Sequence, residues 1–307
     1  MDIFLQHLIN GLVLGSIYAL VALGYTMVYG ILELINFAHG EVTMVGAMVA
    51  LAIIGLFSAV PTPGIGVLLL GLAGAVLVCA ALGAIIERVA YRPLRKAPRL
   101  AALITAIGVS IVLQNLAMII WGRQYIAFPP ILTITRYELG GATVTSLQLF
   151  IVALSALAMM ILYWLVQKTK LGRAMRATAQ SAEVAGLMGV NINKIISITF
   201  VLGSVLAAVA GVMVSAYYGL AHYYMGFLLG LKAFTAAVLG GIGSIPGAML
   251  GGLLLGVIES LGAGYIGPMT GGFLGSHYQD VFAFFILILV LTVRPSGLLA
   301  GTSGEKA

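Results

Sequence analysis

An all-α, polytopic membrane protein of eight or nine transmembrane helices is the fold this sequence predicts. The first observation is scarcity of charge: 8% of the 307 residues are charged and 62% are hydrophobic. Soluble globular domains carry about 25% charged residues, so the chain has no polar shell to set against water. The second is run length. Charge-free stretches cover 3–32, 42–86, 100–122, 139–167, 195–231, 233–258 and 260–279. A spanning helix takes about 20 apolar residues, so several of these hold two spans. The third is that lysine and arginine concentrate in particular loops.

Taken in order, the spans are predicted at about 8–30, 37–57, 66–86, 100–121, 147–166 and 195–217. Two shorter segments at about 227–239 and 248–266 follow, and a last one covers 281–293. The turn Pro61-Thr62-Pro63-Gly64 ends the second span. A polar loop with Pro129-Pro130 and Gly140-Gly141 follows the fourth, and Arg294-Pro295 stops the last. The two shorter segments flank a glycine-rich break, Gly240-Gly241-Ile242-Gly243-Ser244-Ile245-Pro246-Gly247. No polar stretch is long enough for a separate domain, so 1–307 reads as one transmembrane unit. The opening Met1-Asp2-Ile3-Phe4 lacks the basic region and cleavage site of a signal peptide and reads as the start of the mature chain.

Basic residues orient the spans. Arg88, Arg92, Arg95, Lys96 and Arg99 follow the third; Lys168, Lys170, Arg173, Arg176 and Lys194 follow the fifth; Arg294 and Lys306 close the chain. With nine crossings all of these share the cytoplasmic side, leaving the N-terminus outside and the C-terminus inside. Arg123 and Arg136, accompanied by Glu138, occupy the opposite loop.

Composition excludes several classes. The net charge of +6 is confined to loops, which argues against a nucleic-acid partner. Cys79 is alone in an apolar run and reads as a small hydrophobe. No Gly-x-x-x-x-Gly-Lys-Ser/Thr is present, and the 240–247 glycines follow no strand and lack dinucleotide spacing. ATP is therefore bound elsewhere, the chain is not itself an enzyme, and no cofactor is expected.

Five polar or irregular features stand out. The segment 168–194 reads as a short basic helix outside the bilayer, with Glu183, Ala185 and Gly189 spaced for a second protein to grip; the alternative is an amphipathic helix lying on the membrane. Asn36, His39 and Glu41 fall near the cytoplasmic boundary of the second span, where water reaches them. There they either cap the turn after Gly30 or bind solute. A His-x-Glu pair without a third ligand is no metal site. Lys232 and Glu259 flank the break, and antiparallel short helices would pair them; otherwise they face a solute path. Gly240, Gly241, Gly243, Ser244, Pro246 and Gly247 suggest either a gate lining the path or close packing against a partner subunit. Gly71 and Gly74 read as close-packing positions. Tyr217, Tyr218, Tyr223 and Tyr224 form an aromatic belt at the outer interface, or a contact surface there.

Several stretches resemble a known family. Glu183-Val184-Ala185-x-x-x-Gly189 is similar to the EAA-type coupling loop of ABC importer permeases, with Val184 departing at the second position. Gly24-Tyr25-Thr26-Met27-Val28-Tyr29-Gly30, Ile35-Asn36-Phe37-Ala38-His39-Gly40-Glu41, Ile86-Glu87-Arg88-Val89-Ala90-Tyr91-Arg92-Pro93 and the stretch from Lys232 to Gly247 resemble LivH-type permeases of branched-chain amino acid ABC transporters. The likeness covers nearly the whole chain. It implies an inner-membrane importer subunit for leucine, isoleucine and valine, paired with a LivM-like permease, two cytoplasmic ATP-binding subunits and a periplasmic amino-acid-binding protein. Rival readings are the same machinery carrying urea, short amides or other amino acids, an ion-coupled secondary transporter with helices interrupted at mid-membrane, and an intramembrane enzyme built on His39 and Glu41.

Overall fold

The computed structural model of the chain describes residues 2–57, 64–95, 97–130, 134–270 and 278–299. The turn at Pro61-Thr62-Pro63 and the basic residues Lys96 and Lys306 lie outside the described residues. Apolar runs fold as helices wherever the sequence places them. These are α1 Asp2–Leu32, α2 His39–Gly55, α3 Gly64–Ile86, α4 Arg99–Trp121 and α5 Ser146–Lys168; then, after the basic segment, α8 Ile192–Tyr218, α9 Met225–Gly240, α10 Ile245–Met269 and α11 Gln279–Val293. Among the described residues six helices are long and apolar enough to cross a membrane; His39–Gly55, Met225–Gly240 and Phe284–Val293 are shorter apolar helices.

The core is built around α1 and α8. The apolar window of α1 is 89% buried and that of α8 is 67% buried, against 22% for α3 and for α4. A helix that is apolar on every side, such as α1, belongs in such a position. Its most extensive contact is an antiparallel one with α10. Gly11 and Gly15 sit on the backbone of Val257 and Leu253, while Gly252 and Gly256 sit on Ala19 and Gly15. Lipid offers no hydrophobic drive for helices to associate, so close backbone approach at small residues supplies it. Gly71 and Gly74 likewise receive Ile54 and Ile53 of α2. The outer helices expose Leu77, Ile119, Trp164 and Ile288, as a lipid-facing surface requires.

The two ends of the bundle differ. At one end, β1 Ile126–Ala127 pairs antiparallel with β4 Leu220–Ala221, and β2 Arg136–Leu139 forms a hairpin with β3 Ala142–Thr145. The side chain of Gln6, near the start of α1, bonds the backbone of Thr143 there. Tyr125 stacks on His222, which is followed by Tyr223 and Tyr224. The other end is basic. Arg99 bonds Glu33 at 2.9 Å, Arg95 bonds Asn193 at 2.6 Å and also pairs with Glu87. The chain after α11 returns to this end too, where the N–H groups of Leu298 and Leu299 donate to the carbonyls of Leu239 and Gly240.

Candidate functional site

The sequence-predicted polar residues fall into three places. The first is the start of α2, which lies inside the bundle. After α1 ends, residues 33–38 turn back inward, with Glu33 at the positive φ of 53°. His39 therefore begins a helix against Gly24 and Gly203 and edge-on to Tyr25, 4.9 Å between ring centroids. Glu41 is 1% exposed. Its Oε1 accepts from Gln114 Nε2 at 2.6 Å and from Ser110 Oγ at 3.2 Å, both midway along α4. Its Oε2 is buried without a protein partner, beside Gly226. Glu41 also stands in the first turn of α2, where the helix dipole favours an anion. Gly40 crosses Gly226 and Gly230 of α9 at backbone contact. Buried Asn36 accepts from the Tyr91 hydroxyl at 3.0 Å, on the π-helical turn Glu87–Tyr91 that extends α3.

Asn36, His39 and Glu41 are buried polar residues, as the sequence suggested, but they lie inside the bundle and not at the watery boundary expected for them. Charge spacing locates helices, but it does not show a connecting segment folding back between them. Irregular backbone survives there because protein surrounds it. Glu41→Gln keeps an acceptor for Gln114 and Ser110, and should leave the yield of extracted protein near normal. Glu41→Leu strands the Gln114 amide at a cost of about 1–3 kcal/mol and should lower the melting temperature. Equal melting of the two variants would remove Glu41 as the tie between α2 and α4.

The second place is a buried charge cluster. Lys232 Nζ lies 2.7 Å from Glu259 Oε1 and 2.7 Å from Asp280 Oδ1, with Nζ 5.8 Å from the centre of the Tyr18 ring. The antiparallel α9–α10 pairing brings Lys232 to Glu259 as the sequence suggested. Asp280, contributed by α11, is an addition that spacing did not reveal. Among the described residues no group of three His, Cys, Asp or Glu gathers as a metal site would need.

The third place is the basic end. The segment 168–194 forms two helices rather than one, α6 Lys170–Gln180 and α7 Ala182–Leu187. Capping residues explain the division. Thr169, Ser181 and Asn191 each accept with a side-chain oxygen from the backbone N–H three residues on, opening α6, α7 and α8 in turn. Ala185 and Gly189 therefore do not share a helix face. Ala185 is buried, and Gly189 lies beyond α7 at φ 84°. What α7 presents outward is Glu183 and Val184, then Leu187 and Met188, 83% and 81% exposed.

The 240–247 segment is a turn between α9 and α10 at this same end, not a break within the bundle. Gly241 and Gly243 take φ of 106° and 93°, which only glycine adopts freely. Ser244 caps α10, and Pro246 occupies its first turn, where an N–H is not needed. Gly240 and Gly247 meet backbone to backbone, so their close packing is internal to this chain. The depth of the turn shows in its neighbours, Gly30 near the end of α1 and Gly297 after α11. Between the turn and α6 lies a cavity of about 240 Å³, bordered by Thr26, Gly30, Gln167, Arg176, Ser244 and Pro246. The gate candidates Gly243, Ser244 and Pro246 line this space together with α6, whereas Glu183, Ala185 and Gly189 do not border it.

A family model described as branched-chain amino acid transport system, permease component, matches residues 7–291. The chain belongs to this permease family. The high-affinity branched-chain amino acid transport system permease protein LivH of Escherichia coli (strain K12) is 47% identical to the permease over 311 residues, 99% of this chain and 97% of its own. The corresponding BraD protein of Pseudomonas aeruginosa is 47% identical over 308 residues, covering 99% and 98%. In fold the permease is similar to PsaBC from Streptococcus pneumoniae, with a TM-score of 0.50 over 95% of this chain and 92% of that one, at 14% identity. Sequence reasoning overlooked Ser110, Gln114 and Asp280. The first two sit four residues apart on α4 and bond each other at 3.5 Å, but their shared partner Glu41 is remote in sequence, and the third lies at the edge of the last span.

Proposed function

We propose that this permease is a membrane-spanning subunit of a binding-protein-dependent ABC importer for leucine, isoleucine and valine. In this reading the nine apolar helices cross the inner membrane with the N-terminus outside and the basic end cytoplasmic. The missing ATP site is supplied by two partner ATPases, solute is delivered by a periplasmic binding protein, and a second, LivM-like permease completes the path. Branched side chains with a zwitterionic head ask for apolar walls, in keeping with the scarcity of charge.

The observation that carries the mechanism is the shared space between α6 and the α9–α10 turn. Motion of an ATPase gripping Glu183, Leu187 and Met188 passes through α7 to α6, and from α6 across the cavity to the turn that ends α9 and starts α10. The residues Gly240 to Gly247 then act as a hinge at the inner mouth, while buried Ala185 holds the gripping element from within and Gly189 turns the chain beyond it. Helices interrupted at mid-depth are the argument for ion coupling, and the position of the turn at the basic end supports the ABC reading over it.

The test is uptake of labelled leucine into proteoliposomes holding the purified complex. Uptake should require ATP, both ATPases and the binding protein, and should be competed by isoleucine and valine. Uptake that persists without ATPases and collapses with an ionophore would replace this reading by a secondary transporter. Competition by urea or short amides in place of valine would move the substrate class.

A further inference from the structure

We propose that the polar knot joining the start of α8 to the end of α3 is a second output of the coupling segment, one that positions the buried opening of α2. Three residues on one face of α8, spaced by four and by three, hold the knot. Asn193 Oδ1 accepts from Arg95 Nη1 at 2.6 Å, and the Ser197 hydroxyl donates to Glu87 Oε2 at 2.6 Å. Phe200 packs on Tyr91 with 5.1 Å between ring centroids. Glu87 is fully buried and pairs with Arg95 as well. An apolar seam would tie α3 to α8 at least as firmly, because a buried ion pair adds little net stability. What the pair and its hydrogen bonds impose is one exact register between the two helices.

Both ends of the knot lead somewhere. Asn193 follows closely on α7, and the turn between them is tightly bonded. The Val190 N–H donates to the Ala185 carbonyl at 3.0 Å, and the Lys194 N–H to the Asn191 side chain at 3.1 Å. A shift of α7 is therefore felt at the start of α8. At the other end the Tyr91 hydroxyl donates to Asn36 Oδ1 at 3.0 Å, on the stretch 33–38 that feeds His39 and Glu41.

The element in between has two registers available. In the π turn Glu87–Tyr91 the Arg92 N–H donates to the Glu87 carbonyl, five residues back. Such a turn differs from an α-helix by a single step of hydrogen bonding, and π turns recur at working positions of proteins. A change of register turns Tyr91 about the axis of α3 and draws Asn36 with it. The opening of α2 is made to yield to that pull. Gly40 meets Gly226 and Gly230 of α9 backbone to backbone, with no side chain of its own to interlock.

The inference rests on the reading of α7 as the surface an ATPase grips. Hydrogen exchange of the purified complex in nanodiscs, with and without ATP and vanadate, tests it. In the wild type, nucleotide should change protection at 182–191 and also at 33–41. Tyr91→Phe keeps the ring on Phe200 and removes the bond to Asn36. Asn193→Ala combined with Ser197→Ala leaves the Glu87–Arg95 pair in place and removes both polar ties to α8. Each of these should keep the change at 182–191 and lose most of the change at 33–41. Asn193→Asp retains an acceptor for Arg95 and should behave as wild type. So should Thr199→Val, whose hydroxyl bonds Ile195 of its own helix. No nucleotide effect at 182–191 in the wild type would overturn the grip reading and this proposal with it. An effect at 182–191 without one at 33–41, or one at 33–41 that persists in both disabled variants, would overturn the relay and leave the grip reading standing. Loss of the 33–41 change in Thr199→Val as well would reduce the knot to a stabilising clamp.

Discussion

Exchanging Lys232 for methionine should reduce the yield of correctly assembled permease to a small fraction of wild type. Lys232 is the sole cation between Glu259 and Asp280 among the described residues. Removing it leaves two carboxylates facing each other at the junction of α9, α10 and α11. Breaking a buried pair by deleting one partner costs about 3–5 kcal/mol, against about 5–15 kcal/mol for the whole stability of a typical protein. Replacing Lys232, Glu259 and Asp280 together by apolar residues of similar size should restore much of the loss, because the charges are then neither buried nor unpaired. Glu259→Gln should fall between these two. Size-exclusion chromatography of detergent extracts measures yield, and competition among leucine, isoleucine and valine measures selectivity. Normal assembly of Lys232→Met with altered selectivity would place the cluster on the solute path instead.

Introducing aspartate at both Leu187 and Met188 should leave the permease folded and inserted while cutting ATP-dependent uptake at least about tenfold. These two side chains project from α7, and neither supports the core. Buried apolar anchors at an interface commonly contribute about 2 kcal/mol or more each, so two charges placed there should release the ATPases or let them hydrolyse ATP without transport. Gly189→Val should act more mildly. No atom lies within 4 Å of where its Cβ would stand, and the penalty is confined to the left-handed backbone, about 1–2 kcal/mol. Comparing ATPase activity with uptake in the same proteoliposomes checks both variants. Full coupling in the Leu187, Met188 double variant would mean that the partner grips some other surface.

The helices were legible because burial in lipid imposes one simple demand, an apolar run of sufficient length, and each run answers it to within a few residues, α1 beginning earlier than expected. Depth was not legible. The glycines at 240–247 looked like an interruption at mid-membrane and prove to be a turn at the basic end, whereas the unremarkable stretch 33–38 carries the chain back inside. Glycine content reports backbone freedom and close approach, and both uses produce the same letters. The pairing of Lys232 with Glu259 was readable from two isolated charges on neighbouring antiparallel segments. Glu41 with Gln114 was not, because α2 meets α4 through a tertiary contact 73 positions apart. In the 168–194 segment the polarity was readable, but the three cap residues that cut it into separate helices were passed over. So was the apolar pair that those helices expose.

The enclosure of α1 also has a consequence for the order in which the protein is made. Along the chain, α1 comes well before its main neighbours α8, α9 and α10. For most of translation α1 resides in lipid or at the insertion machinery with its glycine stripe uncovered, which its uniformly apolar surface permits. The bundle closes only when Gly252 and Gly256 arrive to meet Gly15 and Ala19. A chain arrested before α10 therefore carries an open seam along α1, where Gly11 and Gly15 lack the backbone they pack on.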